Sequence, residues 1–302
     1  MFQQRTIAEK VSCTGLGLHS GAPVQLTLHP ARANAGIAFV RRDGARSIEI
    51  PALASSVRST EHATTLARGC SVVSTVEHVL AALYAFGIDN ARVEVDGPEV
   101  PVMDGSASSF VYLIRSAGIF VQQEPRSLLR IRRRVEVIDG DRRISIEPAR
   151  CLRIDYAVQF DHPAIQRQQL SLARVEADDF ERELSRARTF GFLDDVRRLW
   201  RAGLARGGSL DNTVVLDANQ VINPGGLRWP DEFVRHKVLD LVGDLALLGL
   251  PIQGHVRVER GGHSLHLDLV RAILSTRKSW SLTGPEPALP PGLDLLSLAP
   301  LA

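Results

Sequence analysis

The chain has 302 residues, of which 44% are hydrophobic and 23% charged, and its formal net charge of +2 argues against a nucleic-acid-binding protein. No run reaches the roughly 18 apolar residues of a membrane span, and the first residues lack the apolar stretch of a signal peptide. The three cysteines, Cys13, Cys70 and Cys151, show no CxxC spacing, and their odd number argues against a disulfide framework, so we expect a cytoplasmic protein.

The first part of the chain is predicted to alternate short strands with helices. Alternating apolar residues between turn residues predict strands at 23–30, 36–41 and 91–97. Apolar residues at intervals of three and four predict helices over 74–87 and 106–118, each closed by a glycine. The segment QQEPRS at 122–127 is the predicted linker between two domains.

After this segment the same alternation resumes. Residues 133–148 are predicted to form a hairpin that turns at Asp139-Gly140. Further strands are predicted at 152–160 and 254–262, and further helices at 176–187, 194–204, 232–249 and 264–275. The Pro-rich end of the chain is predicted to be a loose tail. Two successive blocks of helices and short strands predict an α+β fold.

The helix predicted over 232–249 carries a polar stripe on an otherwise apolar surface. His236, Asp240 and Asp244 recur every fourth residue and fall within an arc of roughly 80°. Apart from Arg235, the rest of the circumference is mainly apolar, so we expect the helix to be buried on most sides. Buried carboxylates are costly unless they are paired or bound to a cation. The stripe alone leaves a structural network, a metal site and a solvated face open.

A catalytic zinc site has three protein ligands and one open position, so two ligands from this helix would need a third. His78, in STVEHVLAAL, could supply it, and Glu77 lies beside it. However, Ser74 and Glu77 also match a capping box, in which Glu77 would only fix the start of the helix. Because the sequence has no HExxH motif and no thiol cluster, any zinc is expected in an open site that can activate water.

Two further stretches hold candidate polar groups. In GGHSLHLDL, His263 follows two glycines, which allow the backbone and a ligand to approach closely, and His266 lies three residues on. In ARTFGF, Thr189 stands before Phe190 and a glycine, and this stretch by itself predicts only a loop.

Taken together, these stretches resemble the zinc-dependent UDP-3-O-acyl-N-acetylglucosamine deacetylases, which catalyse the committed step of lipid A synthesis in Gram-negative bacteria. The resemblance runs from about residue 3 to about residue 280. Its motifs, in chain order, are TGLGLHSG, STVEHVLAAL, GIDNARVEVDGPEVPVMDGSA, FDHPAI, ARTFGF, GGSLDNTVVLD, DEFVRHKVLDLVGDLALLG and GGHSL. Any one motif is weak, whereas all of them in one order are specific.

The resemblance implies a metal site and a set of catalytic groups. His78, His236 and Asp240 would hold one Zn²⁺ per chain, with Fe²⁺ as a physiological substitute. Glu77 would be the general base toward the attacking water, and His263 would stabilise the oxyanion or protonate the leaving amine.

The resemblance also implies supporting and substrate-binding residues. Asp244 would orient His263, and Thr189 would donate a hydrogen bond to the oxyanion. The substrate's polar groups, uracil and diphosphate would be bound by Lys237, Phe160, Phe190, Arg142 and Arg260.

The fold that the resemblance implies has two domains of similar topology, each a β-sheet packed on two helices, with the helix layers facing each other across the active-site cleft. The expected domains are 1–124 and 127–280, followed by the tail at 281–302. An insert at about 193–216 would form an apolar passage for the acyl chain. Its candidate lining residues, which could equally be plain core, are Val196, Leu199, Ala205, Leu210 and Val215.

Some positions depart from the family pattern or lack a role. Glu61 and His62 stand where apolar residues are usual near the acyl entrance, so the acyl-chain length is left open, and His62 is expected to be a loop residue. His266 stands where Asn is usual. His19 matches the family pattern without an assigned role.

Three functions from different classes compete. The favoured one is a monomeric, cytoplasmic amidohydrolase that removes the N-acetyl group of an acylated UDP-amino sugar, with no nucleic-acid partner. A non-haem iron oxygenase would use the same two histidines and carboxylate, although such ligands are more typical of β-barrels. A non-catalytic nucleotide-sugar binder would have no need of Glu77 and His263.

Overall fold

The computed structural model describes residues 2–44 and 46–284. Within them the chain forms six α-helices and nineteen strands in several sheets, which confirms the α+β class. The predicted tail is only partly covered: residues 281–283 belong to a strand, and residues 285–302 lie outside the described residues.

The first part of the chain builds one five-stranded sheet and two smaller ones. Its strands are β1 (Gln3–Ile7), β2 (Val11–Leu16), β3 (Pro23–Pro30), β4 (Ile37–Asp43), β5 (Arg46–Pro51), β6 (Val57–Ser59), β7 (Thr65–Arg68), β8 (Ser71–Val73), β9 (Ala91–Val95) and β10 (Ile119–Pro125). The main sheet has the order β2-β3-β9-β4-β5, in which only β4 and β9 are parallel. Strands β6, β7 and β8 form an antiparallel sheet, and β1 pairs with β10. The helices are α1 (Glu77–Ala85) and α2 (Ser108–Ala117).

The second part of the chain builds a seven-stranded mixed sheet. The strands of this part of the chain, of which all but β16 and β17 belong to this sheet, are β11 (Leu128–Ile131), β12 (Val135–Asp139), β13 (Arg142–Glu147), β14 (Leu152–Gln159), β15 (Arg167–Leu172), β16 (Phe190–Phe192), β17 (Val214–Leu216), β18 (Ile252–Glu259) and β19 (Trp280–Thr283). The order β12-β13-β18-β11-β19 is extended by β14, which pairs with β18 and β15. Strands β16 and β17 form a separate parallel pair. The helices are α3 (Ala177–Glu183), α4 (Leu193–Arg201), α5 (Glu232–Leu245) and α6 (His263–Ser275).

Helix α5 is the central element between the two parts. All of its residues except Arg235 and Lys237 are buried, as its sequence predicts. It packs directly against α1, and the approach is so close that a Cβ at Gly243 would overlap the carbonyl of Glu77. The apolar side chains of both parts join in one buried cluster around this helix pair.

Some predicted boundaries are confirmed and others are wrong. The hairpin forms with Asp139 paired to Arg142, and Gly140 takes a φ of 60°, which glycine adopts easily. The predicted linker is not an irregular segment as far as Pro125, because residues 122–125 belong to β10, whereas its position between two domains stays a prediction. The side chain of Gln122 is buried there and donates to the carbonyl oxygen of Ala31 at 2.9 Å, so this segment is held inside the fold.

Candidate active site

Two histidines and an aspartate from α1 and α5 converge at one buried point. The candidate ligand atoms of His78, His236 and Asp240 all lie within 4.8 Å of one another. Oδ1 of Asp240 is 3.6 Å from Nε2 of His78 and 3.4 Å from Nε2 of His236. This oxygen is buried and has no hydrogen-bond partner among the described residues. A buried, unsatisfied carboxylate oxygen beside two imidazole nitrogens is what a divalent cation would satisfy.

The local fold fixes the orientation of these ligands. His236 and Asp240 are one turn apart on α5, and the close contact at Gly243 brings the first turn of α1, with His78, beside them. Nδ1 of His236 lies 3.1 Å from the carbonyl oxygen of Ala187, so Nδ1–H donates and the lone pair of Nε2 faces the cluster. Burial lowers the pKa of His236 to about 3, which favours the neutral imidazole that metal binding requires.

Lys237 neutralises the other oxygen of Asp240. Its ammonium donates to Oδ2 at 2.6 Å and lies 5.7 Å from the centre of the Phe190 ring. Burial alone would raise the pKa of Asp240, but the ammonium of Lys237 and the cationic His263 hold it well below its ordinary value. Asp240 is therefore a carboxylate, the form in which it can bind a cation.

A second group of possible metal ligands, Asp244, His263 and His266, has different geometry. Oδ2 of Asp244 lies 2.8 Å from Nδ1 of both histidines, and Oδ1 accepts a hydrogen bond from Thr64 Oγ1 at 2.7 Å. Both oxygens of Asp244 thus have hydrogen-bond donors, unlike Oδ1 of Asp240. This arrangement fits a hydrogen-bond network better than a cation site.

His263 is held as a cation in this network. Burial opposes its charge, but Asp244 and Asp240 outweigh burial and raise the pKa of His263 to about 9. Its Nε2 lies 3.9 Å from Oε1 of Glu77 and 3.8 Å from Oδ2 of Asp240. Burial raises the pKa of Glu77, although His263 and His78 oppose this. Glu77 and His263 are therefore two neighbouring titratable groups with raised pKa values beside the candidate metal ligands.

The capping-box interpretation of Glu77 is wrong. Helix α1 begins at Glu77, three residues later than predicted, and it has no side-chain cap. The hydroxyl of Ser74 instead lies 3.0 Å from that of Thr65. Oε2 of Glu77 accepts a hydrogen bond from the backbone N–H of Thr64 at 3.1 Å. The carboxylate is thus oriented toward the cluster and does not close the start of its own helix.

Of three other predicted residues, Phe190 lies beside the cluster, Thr189 directly precedes Phe190 in the chain, and Phe160 packs against Phe190. Thr189 follows Ala187 by two residues, and its backbone is fixed by hydrogen bonds to Gly105 and Val214. The Phe190 ring centre is 6.2 Å from that of His236 and 5.7 Å from that of Phe160. Phe160 therefore lies one aromatic ring farther from the cluster.

The two predicted arginines are bound elsewhere. Arg142 pairs with Asp139, and Arg260 pairs with Asp141. All four residues lie at or beside the turn between β12 and β13, so the structure brings the arginines close to each other. Within residues 2–44 and 46–284, the ion pairs of the two arginines do not involve the histidine cluster.

The predicted acyl-chain residues do not form a uniform surface. Ala205 and Val215 are buried, Val196 and Leu199 are half-buried, and Leu210 is exposed. Helix α4, which carries two of them, has no buried residue. Burial thus distinguishes core positions from exposed ones among these residues, but it does not outline a passage for the acyl chain.

The residues without an assigned role are placed as follows. Glu61 and His62 are exposed and lie outside the helices and strands, as expected for a loop. The ring centres of His62 and His19 are 6.0 Å apart. The backbone N–H of His19 donates to Oε1 of Glu99 at 2.9 Å.

Sequence reasoning missed two contributors to the site. Thr64 contacts both Asp244 and Glu77, but it lies in a short loop with no motif of its own. Tyr156 hydrogen-bonds with His266 at 2.9 Å. The alternation of β14 was the available signal for Tyr156, because it places this residue on a buried face.

The fold and the cluster define an α+β protein with a candidate metal-dependent catalytic site. The family model described as LpxC, UDP-3-O-acyl N-acetylglycosamine deacetylase, matches residues 4–275. A protein from Myxococcus xanthus named UDP-3-O-acyl-N-acetylglucosamine deacetylase is 54% identical over 91% of this chain and 87% of its own length. Relatives with the same name from Anaeromyxobacter sp. strain Fw109-5 and Shewanella loihica are 52% and 48% identical, covering 91% and 93% of this chain and 89% and 93% of their own lengths.

The chain therefore belongs to the UDP-3-O-acyl-N-acetylglucosamine deacetylase family, whose reaction is the hydrolysis of an amide. Over the part of the chain that the structure describes, none of the helices combines the length and apolar character needed to cross a membrane.

Proposed function

We propose that the chain is a zinc-dependent amidohydrolase that converts UDP-3-O-acyl-N-acetylglucosamine to the free amine and acetate, as the committed step of lipid A synthesis. The names of the relatives support the substrate. The main structural support for a metal is the buried Oδ1 of Asp240, which faces His78 and His236 without a hydrogen-bond partner in the described part of the chain. We further propose that it acts as a cytoplasmic monomer.

His78, His236 and Asp240 would hold the ion. Two imidazole nitrogens and one carboxylate oxygen suit Zn²⁺ with an open position, and they also suit Fe²⁺ as a substitute. A Zn²⁺ ion held there would supply Lewis acidity, which lowers the pKa of water to about 7 and polarises a carbonyl oxygen.

Glu77 would accept the proton of the attacking water. Its raised pKa suits a base that must take up a proton near neutral pH and pass it on. The hydrogen bond from the Thr64 backbone to Oε2 leaves Oε1 directed toward His263 and the reaction centre.

His263 would stabilise the oxyanion and then protonate the leaving amine. Asp244 holds its Nδ1–H at 2.8 Å, which directs Nε2 into the site and favours the cationic form. Thr189 would add a neutral hydrogen bond to the oxyanion. Acid and base would thus be separate groups, and both pKa values are raised: burial favours the neutral form of Glu77, whereas Asp244 and Asp240 favour the cationic form of His263.

The remaining predicted residues would bind the substrate. Lys237 and Phe190, which flank His236, would contact the polar part of the sugar. Phe160 would stack on uracil, and Arg142 and Arg260 would bind the diphosphate after leaving their acidic partners. The segment 193–216 would hold the acyl chain.

Acetate release from the acylated UDP-sugar, measured with and without a chelator, tests this function. We expect activity that the chelator abolishes and that added Zn²⁺ restores. Turnover that is insensitive to chelation would contradict the zinc mechanism, dioxygen consumption would indicate an oxygenase, and binding without acetate release would indicate a non-catalytic binder.

Replacing Glu77 tests the base directly. Glu77→Ala should keep the metal, because Glu77 is not one of the three ligands, and should lower turnover by about 10²-fold or more. Metal content and acetate release are measured on the same sample. Exposed Glu9→Ala, which has no place in the proposed site, is the matched control and should keep both. Near-normal turnover of Glu77→Ala would show that Glu77 is not the general base.

A further inference from the structure

His266 contacts Asp244, the hydrogen-bond partner of His263, and both ring nitrogens of His266 have hydrogen-bond partners. The residue is fully buried on α6, with a relative exposure of 0%. Nδ1 lies 2.8 Å from Oδ2 of Asp244, and Nε2 lies 2.9 Å from the hydroxyl of Tyr156. A continuous chain of hydrogen bonds therefore runs from Tyr156 through His266 to Asp244, and from there to His263 at 2.8 Å.

The direction of this chain follows from what each group can donate. A carboxylate only accepts, so Nδ1 of His266 must carry the proton that meets Asp244. A neutral imidazole then has a lone pair on Nε2, and the Tyr156 hydroxyl must donate to it. Burial lowers the pKa of His266 although Asp244 opposes this, and burial raises the pKa of Tyr156 well above its ordinary value. Both directions agree with a neutral His266 and a protonated Tyr156.

The absence of a side chain at Gly261, just before α6, leaves space for Tyr156 and His266. A Cβ at this position would overlap the Tyr156 hydroxyl and press on Nε2 of His266. A side chain at position 261 would therefore disturb the hydrogen bond between Tyr156 on β14 and His266 on α6.

We infer that His266 is a positioning residue for the deacetylation reaction: its Nδ1–H, fixed by Tyr156, holds the Asp244 carboxylate in the orientation that His263 needs. Asp244 receives three donors, Thr64 on Oδ1 and the two histidines on Oδ2. Without the donor from His266, the carboxylate could rotate toward Thr64 and lose its contact with His263. The inference rests on the proposed function, because it acts through His263.

A pair of amide substitutions separates the two nitrogens of His266. The amide of Asn occupies the place of Nδ1, whereas the amide of Gln reaches the place of Nε2. His266→Asn thus keeps a donor for Asp244 and loses the contact with Tyr156, and His266→Gln does the reverse. Tyr156→Phe removes the same outer hydrogen bond as His266→Asn and keeps the donor to Asp244, so its kcat should follow that of His266→Asn.

We expect His266→Asn to keep kcat within about threefold of wild type and His266→Gln to lose about 10-fold or more, the usual scale for a supporting partner at a metal site. KM should stay within about twofold, because His266 does not touch the substrate. Metal content and thermal unfolding are measured on each holoenzyme. Equal kcat values for the Asn and Gln variants would overturn the inference.

Nitrogen NMR of histidine-labelled wild-type protein gives a test that needs neither activity nor a variant that folds. It should show His266 as the neutral tautomer protonated on Nδ1, and protonation on Nε2 alone would overturn the inference. Wild-type protein that shows this tautomer but releases no acetate would contradict the proposed function while leaving the hydrogen-bond chain in place.

Discussion

The two carboxylate oxygens of Asp240 have different surroundings. Oδ2 pairs with the ammonium of Lys237, and Oδ1 faces the imidazoles of His78 and His236 without a hydrogen bond in the described part of the chain. The four-residue spacing on α5 was enough to predict that His236 and Asp240 share a face. The approach of His78 was not predictable from spacing, because it depends on how two helices from distant parts of the chain pack. The stretch STVEHVLAAL offered His78 as one candidate for a third ligand, and the resemblance to a family assigned it to the metal site.

Removing Asp240 should release the metal. Asp240→Ala leaves two imidazoles and the uncompensated ammonium of Lys237 around the site, so we expect less than about one tenth of the wild-type metal content, measured by elemental analysis. Asp155→Ala is the matched control, since Asp155 on β14 pairs with His255 on β18 at 2.7 Å and is not one of the candidate ligands. Full metal content in Asp240→Ala would show that another group holds the ion.

The contact between α1 and α5 is the structural element on which the site depends. Helical periodicity predicted both helices, and α5 is buried as expected. Their close packing could not be predicted, because a glycine inside a helix pattern, such as Gly243, can mark either a position that lowers helix stability or a close contact with another element. Short strands were also missed: Phe190–Phe192 was expected to be a loop, and its three residues are too few to show a period.

Substituting Gly243 tests this packing. Alanine favours a helix by about 1 kcal/mol over glycine, so an isolated helix would gain stability. Here the added Cβ overlaps the Glu77 carbonyl, and we expect a net loss of roughly 1–3 kcal/mol together with weaker metal binding.

Denaturant unfolding and a zinc titration of Gly243→Ala measure the two effects. Gly225→Ala is the control, because a Cβ at Gly225 meets no atom within 4 Å. A gain in stability for Gly243→Ala would contradict the close contact.

At the scale of the whole molecule, composition and pattern were sufficient for the α+β class, but strand order was not accessible. Sheet order depends on long-range pairing, such as the parallel contact of β14 with β18, which no local pattern encodes. The polar segment at 122–127 was predicted to separate two domains, yet Gln122 satisfies its amide inside the fold. Local composition could not reveal that partner. The division into domains 1–124 and 127–280 stays a proposal.

An ion pair that joins the two parts of the chain should make stability depend on pH. Arg228 donates to Oδ2 of Asp104 at 2.9 Å. Burial alone would raise the pKa of Asp104, but hydrogen bonds from Ser106 and Arg228 hold it below its ordinary value. Since the unfolded carboxyl titrates near about 3.9, the ionised pair stabilises the fold above that pH, and this stability is lost as the pH falls through the lower folded value.

We therefore expect Asp104→Asn to lose about 1–2 kcal/mol of unfolding free energy at pH 7. The difference from wild type should shrink as the pH falls below the ordinary carboxyl pKa and through the lowered pKa of Asp104, because wild-type Asp104 then loses its charge. Urea unfolding across this range measures both proteins. The exposed Asp178→Asn is the control and should change little at any pH. A constant deficit of Asp104→Asn at all pH values would indicate that charge is not its cause.

Anomalous scattering at the zinc edge, from a crystal of the zinc-loaded protein, tests the central claim most directly. We predict one peak per chain, about 2.0–2.2 Å from Nε2 of His78, Nε2 of His236 and Oδ1 of Asp240. A peak at Asp244, His263 and His266 instead, or no peak at either group, would contradict the account.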